Sequence, residues 1–291
     1  MTRRLGLAAL AAGLAAACTP ARLFNAITPE DPARVLATGE RYGEAGRQQL
    51  DVYGPQGGAP AGGAPVAVFL YGGAWNSGSR GEYVWAGKAL ASQGFVAVVP
   101  DYRLTPEVAF PAFVEDGALA IRWIVDNIGR LGGDPSRIVL IGHSAGAYNA
   151  AMIALDPRYL QAAGVEPGRI KAFAGLAGPY YFPNLDGPIL KAAFGTVPGE
   201  AYQAVRFASA SSPPAFLAHG GGDRTVTPRN TEGLAKALRE KGVEVEAHVY
   251  PGLSHADVLL AMSRTFRARR PLWDDMIPFL QRQAGLSSAA S

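Results

Sequence analysis

The sequence has one cysteine, a small net charge and no hydrophobic run long enough to span a bilayer. Cys18 is the only cysteine among 291 residues, so an intramolecular disulfide is excluded. The formal net charge of +3 comes from scattered basic residues, and no RRM, zinc-finger or helix-turn-helix signature occurs. The apolar run at residues 5–17 is too short for a transmembrane helix. Nucleic-acid binding and a disulfide scaffold are therefore set aside.

The composition is that of a folded α/β domain. Hydrophobic residues make up 48% and charged residues 18% of the chain, which excludes intrinsic disorder. Glycine and proline, with 36 and 22 residues, follow no period, so a collagen-like repeat is excluded and many turns are indicated. A length of 291 residues suits one large domain or at most two small ones.

Residues 1–18 have the pattern of an export signal, in which two arginines precede the apolar run. Three alanines at 15–17 then precede Cys18, and this arrangement resembles a bacterial lipoprotein signal, whose cysteine is lipidated. The prediction is an exported protein, free in the periplasm or tethered to a membrane through Cys18, with a linker over residues 19–39. Ala15 stands where the lipoprotein pattern prefers leucine, which leaves ordinary signal cleavage open. A buried alanine-rich helix is the other alternative.

Apolar strands alternate with amphipathic helices over residues 40–284, which we take as one domain. Residues 65–71 and 95–99 are near-continuous apolar runs, as expected of strands buried on both faces of a sheet. The alternation predicts an α/β fold with a mostly parallel, twisted sheet and helices on both faces. A stretch rich in proline and aromatic residues at 177–212 predicts a small cap, and residues 285–291 are predicted to be a flexible tail.

One motif on this framework carries nucleophilic chemistry. Residues 142–146 read Gly-His-Ser-Ala-Gly and lie between an apolar strand at 137–141 and a helix of small residues. A serine at a sharp strand-to-helix turn adopts a strained backbone, and only glycines on both sides allow that turn. A G-x-S-x-G pattern alone is weak, but this context makes Ser144 the candidate nucleophile, with a simple helix N-cap as the alternative.

A serine hydroxyl needs a base beside it, and the four histidines of the chain occupy different contexts. His255 lies in a loop just after the last strand, where folds with such an elbow supply their base. His143 lies within the elbow motif, His248 within a strand, and His219 at a strand end where it can line the site without being the base. His255 is therefore the predicted base.

The base needs an anion that fixes its tautomer and stabilises its charged form. Asp223 follows a strand and a run of glycines, and lies between Ser144 and His255 in the chain order Ser–Asp–His. Asp257 is too close to His255 in sequence to be favoured. The predicted triad is Ser144, Asp223 and His255, and a turn-capping role is the alternative for Asp223.

Two glycines after the strand at 65–71 predict a site for the oxyanion of an acyl-transfer reaction. Without a Cβ, glycines let backbone amides point at a substrate carbonyl oxygen. The predicted donors are the amides of Gly73, Ala74 and Ala145, with Gly72 allowing the turn. A plain tight turn is the structural alternative.

Together these motifs resemble the esterase/lipase branch of the α/β-hydrolase superfamily, which includes carboxylesterases and kynurenine-formamidase-like enzymes. The resemblance covers residues 49–283 and has six motifs, at 72–75, 101–104, 132–135, 142–146, 222–223 and 254–255. Tyr71 is a departure, because the family usually has a histidine there that braces the oxyanion loop. The resemblance implies structural roles for residues 101–103 and 115–116.

The preferred function is hydrolysis of carboxylic esters with small to medium acyl chains through an acyl-enzyme, without metal or cofactor. An arylformamidase acting on N-formyl substrates would use the same residues, although export argues against it. A peptidase of this fold is disfavoured, since no propeller domain or long insert precedes the catalytic core, and a catalytically silent lipoprotein that binds ligands is the third alternative. Five aromatic residues are candidate pocket walls, with core packing as the alternative for each: Trp75, Tyr148, Tyr180, Tyr181 and Phe182.

Overall fold

The computed structural model describes Phe24, residues 28–182 and residues 184–286. The predicted signal at 1–18 with its lipidation candidate Cys18, and residues 287–291 of the predicted tail, lie outside the described residues. Within the described part, no helix is long and apolar enough to cross a membrane.

The centre of the fold is a single twisted sheet. In the described part of the chain its strands are β1 (Ala33–Arg41), β2 (Gln49–Pro55), β3 (Ala64–Leu70), β4 (Val96–Pro100), β5 (Gly133–His143), β6 (Ile170–Leu176), β7 (Ala215–Gly220) and β8 (Val245–Tyr250). Their order across the sheet is β1-β2-β4-β3-β5-β6-β7-β8. β2 pairs antiparallel with β1 and β4, and all pairs from β4 to β8 are parallel. The sheet is therefore mostly parallel, as the sequence predicts.

Helices fill the connections between the parallel strands. Those described are α1 (Val84–Ala91), α2 (Ala112–Asn127), α3 (Ala145–Leu155), α4 (Pro157–Ala162), α5 (Gly187–Phe194), α6 (Arg229–Arg239), α7 (His255–Leu260) and α8 (Leu272–Gln283). Right-handed crossovers place α1 on one face of the sheet and α2, α3 and α6 on the other. Because both faces are covered, every residue of β3 and β4 is buried.

The first strand corrects the predicted linker. Residues 33–39, assigned to the linker at 19–39, belong to β1, which pairs with β2 at the edge of the sheet. β1 carries two register shifts, and its residues are half-buried or exposed, with Val35 53% exposed. An irregular edge strand has no regular apolar alternation, so the sequence pattern did not reveal it.

The predicted cap at 177–212 lies between β6 and β7 and contains α5. Two short 3-10 turns, Gly199–Tyr202 and Ala204–Phe207, follow that helix. Phe194, the last residue of α5, is fully buried, so the segment packs onto the domain. It lies on the same edge of the sheet as the elbow, because the carboxyl ends of parallel strands share one edge.

Candidate active site

The elbow forms at the junction of β5 and α3. Ser144 lies between them with φ 54° and ψ −122°, a left-handed backbone that side-chain-bearing residues rarely adopt. Both flanking glycines are needed, since an added Cβ at Gly142 would lie 2.2 Å from the carbonyl oxygen of Gly146. An added Cβ at Gly146 would lie 2.0 Å from the carbonyl oxygen of Leu70. The strained turn therefore presents a half-buried Ser144 at the edge of the sheet.

The predicted base and acid are in direct contact. His255 Nδ1 lies 2.7 Å from Asp223 Oδ2, across 32 residues of sequence. Because the carboxylate only accepts hydrogen bonds, Nδ1 carries a proton, so in the neutral ring the lone pair is on Nε2. In the described residues no hydrogen bond joins the Ser144 hydroxyl to His255. Such catalytic hydrogen bonds are often long in ligand-free enzymes and shorten when substrate binds.

His255 is the first residue of α7 and not part of an irregular loop, because Ser254 caps that helix. The Ser254 hydroxyl accepts the Asp257 amide at 3.3 Å, and the Asp257 carboxylate accepts the Ser254 amide at 3.0 Å. Asp257 also forms an ion pair with Arg270. Asp257 is thereby used in the cap, which leaves Asp223 to orient the imidazole.

Asp223 is held as an anion by its surroundings. Its side chain is fully buried, and burial alone would raise its pKa. Hydrogen bonds from the Val226 amide at 2.9 Å, from His255 and from the Thr225 amide at 2.8 Å outweigh burial and lower the pKa of Asp223. The Asp223 carboxylate therefore stays ionised over the pH range in which a protonated imidazole beside it needs a counter-charge.

His143 lies next to the paired His255 and Asp223. Its Nε2 is 3.1 Å from the backbone oxygen of His255, and the two rings are 4.9 Å apart. Burial, followed by the proximity of His255, lowers the pKa of His143 to about 3. It is thus neutral and donates to the His255 carbonyl.

Lowering the pH from 6.5 should lower the free energy of unfolding, because His143 binds a proton only when the chain unfolds. Its folded pKa of about 3 is below the ordinary 6.5, so between these values the unfolded state holds the extra proton. One such proton lowers the free energy of unfolding by about 1.4 kcal/mol for each pH unit below 6.5. Urea unfolding at a series of pH values measures the slope. His143→Gln should reduce it by about one proton, and an unchanged slope would contradict the buried neutral state.

The loop after β3 supplies the candidate oxyanion donors. Gly73, Ala74 and Trp75 all have positive φ, at 125°, 50° and 59°. An added Cβ at Gly72 would lie 3.0 Å from Ser144 Cβ, so the loop passes directly beside the elbow. Among the described residues, no acceptor bonds the amides of Gly73, Ala74 or Ala145. Unpaired amides beside a nucleophile are what an oxyanion hole requires.

Tyr71 anchors the start of this loop. Its hydroxyl donates to Asp101 Oδ1 at 2.7 Å and accepts from Arg47 at 3.0 Å, and Arg47 also donates to the Gly78 carbonyl at 2.6 Å. The Tyr71 carbonyl accepts the Tyr102 hydroxyl at 2.8 Å, and these two rings stack 4.9 Å apart. Tyr71 thus ties the start of the loop to the residues that follow β4, and Arg47 links it to Gly78 further along the loop. These contacts give Asp101 and Tyr102 structural roles, and Arg103 forms an ion pair with the buried Asp116.

The five candidate pocket residues separate into three groups. Trp75, Tyr148 and Phe182 are buried together, with the Trp75 and Tyr148 rings 5.4 Å apart and perpendicular. Tyr180 is fully buried, and an added Cβ on Gly175 of β6 would lie 1.9 Å from its hydroxyl. Tyr181 is 55% exposed. Core packing is therefore the role that the structure gives Tyr180.

Sequence reasoning missed most of the aromatic cluster and one polar contact in it. The rings that join Trp75, Tyr148 and Phe182 are those of Phe110, Phe113, Phe194 and Tyr202. Trp75 Nε1 donates to Asn149 Oδ1 at 3.0 Å, which fixes the indole against α3. Asn149 lies five residues after Ser144, but nothing in the sequence linked it to the oxyanion loop. In the described residues, no group of three or more His, Cys, Asp or Glu residues could hold a metal ion.

Two family models match the chain. The BD-FAE model matches residues 50–181, and the prolyl oligopeptidase family model matches residues 190–287. The first contains the oxyanion loop and the elbow, and the second contains Asp223 and His255. The chain therefore belongs to the α/β-hydrolase superfamily, in its esterase/lipase branch. The predicted fold class and the resemblance are confirmed.

Among curated proteins, the chain is similar to a probable isoprenylcysteine alpha-carbonyl methylesterase of Oryza sativa subsp. japonica, with 31% identity over 242 residues. It is also similar to the esterase LipQ of Mycobacterium tuberculosis, with 30% identity over 249 residues. These alignments cover 75% and 77% of this chain, and 56% and 58% of the relatives. The chain thus spans a little over half the length of these two relatives.

Two solved structures have the same fold. Esterase B from Lactobacillus rhamnosis has a TM-score of 0.77 at 19% identity, over 96% of this chain and 95% of that one. The thermophilic esterase Est2 of Thermogutta terrifontis has a TM-score of 0.72 at 25% identity, over 90% of this chain and 95% of that one.

Proposed function

We propose that this chain is a carboxylesterase-type serine hydrolase that works through Ser144, His255 and Asp223. The observation that carries the proposal is the 2.7 Å contact between His255 Nδ1 and Asp223 Oδ2, beside a serine in a left-handed elbow. A buried anion on one nitrogen leaves the other nitrogen free as a base. The esterase relatives support the same reaction class.

The proposed reaction is acyl transfer to water in two halves. His255 Nε2 takes the Ser144 proton as Oγ attacks the ester carbonyl carbon, and the amides of Gly73, Ala74 and Ala145 stabilise the resulting oxyanion. The carbonyl then re-forms, the bond to the alcohol breaks, and the imidazolium gives its proton to the leaving alcohol. Water repeats the sequence on the acyl-enzyme and releases the acid and the free hydroxyl.

The substrates we propose are neutral esters with small to medium acyl chains. Trp75 directly follows the oxyanion donors, and Tyr148 lies one helical turn after Ser144. Both rings pack against Phe194 of the cap, at 4.9 and 5.4 Å. Buried aromatic rings on this side of the nucleophile leave little room for a long chain.

The arylformamidase alternative remains open, because the same triad would act on an N-formyl group. A peptidase is supported only by the prolyl oligopeptidase model, which matches residues 190–287. The esterase relatives extend over three quarters of the chain. A silent ligand-binding protein would not need the ionised Asp223 or the free amides of the oxyanion loop.

A substrate panel tests the proposed function. Purified protein should hydrolyse p-nitrophenyl acetate and butyrate faster than the octanoate and dodecanoate, and N-formylkynurenine slowly. A prenylcysteine methyl ester belongs in the panel, since a relative is described as acting on one. A preference for N-formylkynurenine would favour the arylformamidase. No turnover of any substrate by a folded sample would favour the silent binder.

Phe194→Ala should relax the acyl-chain limit. Removing this ring opens space beside Trp75, and each buried methylene is worth about 0.8 kcal/mol. The kcat/KM ratio of octanoate over butyrate should therefore rise by about tenfold or more. Ile189→Ala is the matched control, because Ile189 lies on the same helix but is 41% exposed, and it should leave the ratio unchanged. Equal octanoate-to-butyrate ratios in all three proteins would show that the aromatic cluster does not limit the length of the acyl chain.

We also propose export and lipidation at Cys18, which lies outside the described residues. Support comes from the two arginines, the short apolar run and the alanines before Cys18. Mass spectrometry of the membrane fraction should find the lipid on Cys18 of the wild type and none in Cys18→Ser. An unmodified mature N-terminus would refute the tether.

A further inference from the structure

His219 is a buried histidine that the proposed reaction does not use. It lies near the end of β7, four residues before Asp223, and is fully buried. Its Nε2 is 2.8 Å from the Val226 carbonyl oxygen and 3.2 Å from Asp223 Oδ2, and its Nδ1 is 2.9 Å from the Thr231 hydroxyl. One imidazole therefore joins β7, the loop of Asp223 and α6.

These partners fix the protons on His219. Nε2 faces two groups that can only accept, the Val226 carbonyl and the Asp223 carboxylate, so Nε2 must carry a hydrogen. Burial lowers the pKa of His219, so the ring is neutral and Nδ1 is a bare acceptor. The Thr231 hydroxyl then donates to Nδ1. Both ring nitrogens of His219 thus have a hydrogen-bond partner in a single orientation of the ring.

The same arrangement sets how Asp223 meets the base. Oδ1 accepts the amides of Thr225 and Val226 from its own loop. Oδ2 is shared between His255 at 2.7 Å and His219 at 3.2 Å. The one Nε2 hydrogen of His219 is bonded to the Val226 carbonyl and also faces Oδ2. Its partial positive charge draws negative charge on Oδ2 away from the bond to His255, so the charged imidazolium is stabilised less than by an unshared oxygen.

The end of β7 also fixes the chain that leads to the base. The amides of Gly221 and Gly222 donate to the carbonyls of Tyr250 at 2.8 Å and Leu253 at 2.9 Å. An added Cβ at Gly220 would lie 2.2 Å from the Leu253 carbonyl oxygen. A shift of the β7 end would therefore move both members of the pair.

We infer that His219 is a positioning residue, which holds the Asp223 carboxylate in place through its Nε2 hydrogen and weakens the hydrogen bond between that carboxylate and His255. This inference rests on the proposed function. Among the described residues, the titratable groups that face Asp223 are His219 on β7, His255 on α7 and His143 at the end of β5. Of these, His219 shares the oxygen used by the base.

The experiment compares pH profiles of kcat/KM for p-nitrophenyl butyrate in a set of variants. His219→Leu removes the donor and should lower kcat by about 10- to 100-fold, with KM nearly constant. Because Oδ2 then serves His255 alone, the acidic limb should move to higher pH by about 0.5 to 1 unit. A residue that only fills space would lower the rate without moving this limb.

Three further variants separate the donor from the volume of the ring. His219→Gln can place an amide N–H where Nε2 lies, and should restore most of kcat and the original limb. Thr231→Val removes the hydroxyl on Nδ1, weakens the Nε2 donor, and should move the limb in the same direction by less. His248→Leu removes a histidine from the neighbouring strand β8, away from the pair, and should leave the profile unchanged.

An unmoved limb in His219→Leu and Thr231→Val would overturn the inference, as would a His219→Gln variant no better than His219→Leu. If His219→Leu does not fold, Thr231→Val and His219→Gln decide the matter. Nitrogen-15 NMR of labelled histidines gives a second readout that does not depend on turnover. It should find His219 neutral with the hydrogen on Nε2 at pH 7, and a hydrogen on Nδ1 would refute the contact. If the wild type shows this tautomer but no turnover, the proposed function is contradicted while the His219 contact stands.

Discussion

Replacing Ser144 by alanine should lower kcat/KM for p-nitrophenyl butyrate by about a millionfold and abolish labelling by a fluorophosphonate. Alanine removes the only atom that forms the acyl-enzyme, while the loop amides and the pocket remain. A residual rate of about 10³-fold or more over water is expected from those parts. Stopped assays at high enzyme concentration and mass spectrometry of labelled peptides measure both effects.

The matched control is Ser136→Ala. Ser136 lies on the same strand as the elbow but near its opposite end, where it is exposed. This variant should label and turn over like the wild type. Persistent labelling of Ser144→Ala at another serine would show that the elbow serine is not the nucleophile.

Replacing His255 by alanine should have an effect of the same size, because the serine hydroxyl without its base remains protonated. The loss in kcat should approach the millionfold loss of Ser144→Ala, and the double variant should lose little more. Such non-additivity is the sign of residues that act as one unit. The rate of fluorophosphonate labelling should fall in parallel.

His248→Ala provides the comparison for His255→Ala. His248 lies on β8, where its ring stacks on Tyr250 at 5.7 Å and against Phe216 at 5.4 Å. Its loss should cost packing and leave kcat within about twofold of the wild type. Similar losses in the two variants would mean that the base has been misidentified.

The sequence patterns predicted the central strands well, and the reason lies in their burial. β3 and β4 are apolar throughout because both faces of the sheet are covered, and such runs are visible in sequence. β1 escaped prediction because an exposed, bulged edge strand needs no apolar pattern. Short α7 was also missed, since a two-turn helix depends on its Ser254 cap more than on periodicity.

The candidate site was predictable where backbone chemistry restricts the choice of residue. Ser144 needs glycines on either side, and Gly72 lies so close to the Ser144 Cβ that it has little room for a side chain. These glycines are visible in the sequence. Asn149 left no such trace, and for His219 the sequence indicated only that it can line the site. Their roles depend on hydrogen bonds between elements far apart in the chain, and only the folded arrangement brings their partners together.

Tyr71 has a consequence for the range of conditions in which the site keeps its shape. A histidine at this position would change its charge near neutral pH. The phenol does not, because burial, the neighbouring Tyr102 and the Asp101 carboxylate raise the pKa of Tyr71 well above its ordinary value. The phenol therefore stays protonated, and can still donate to Asp101, at an alkaline pH where an ordinary tyrosine would ionise. Ionisation of Tyr71 therefore does not set the alkaline limit for the shape of this loop.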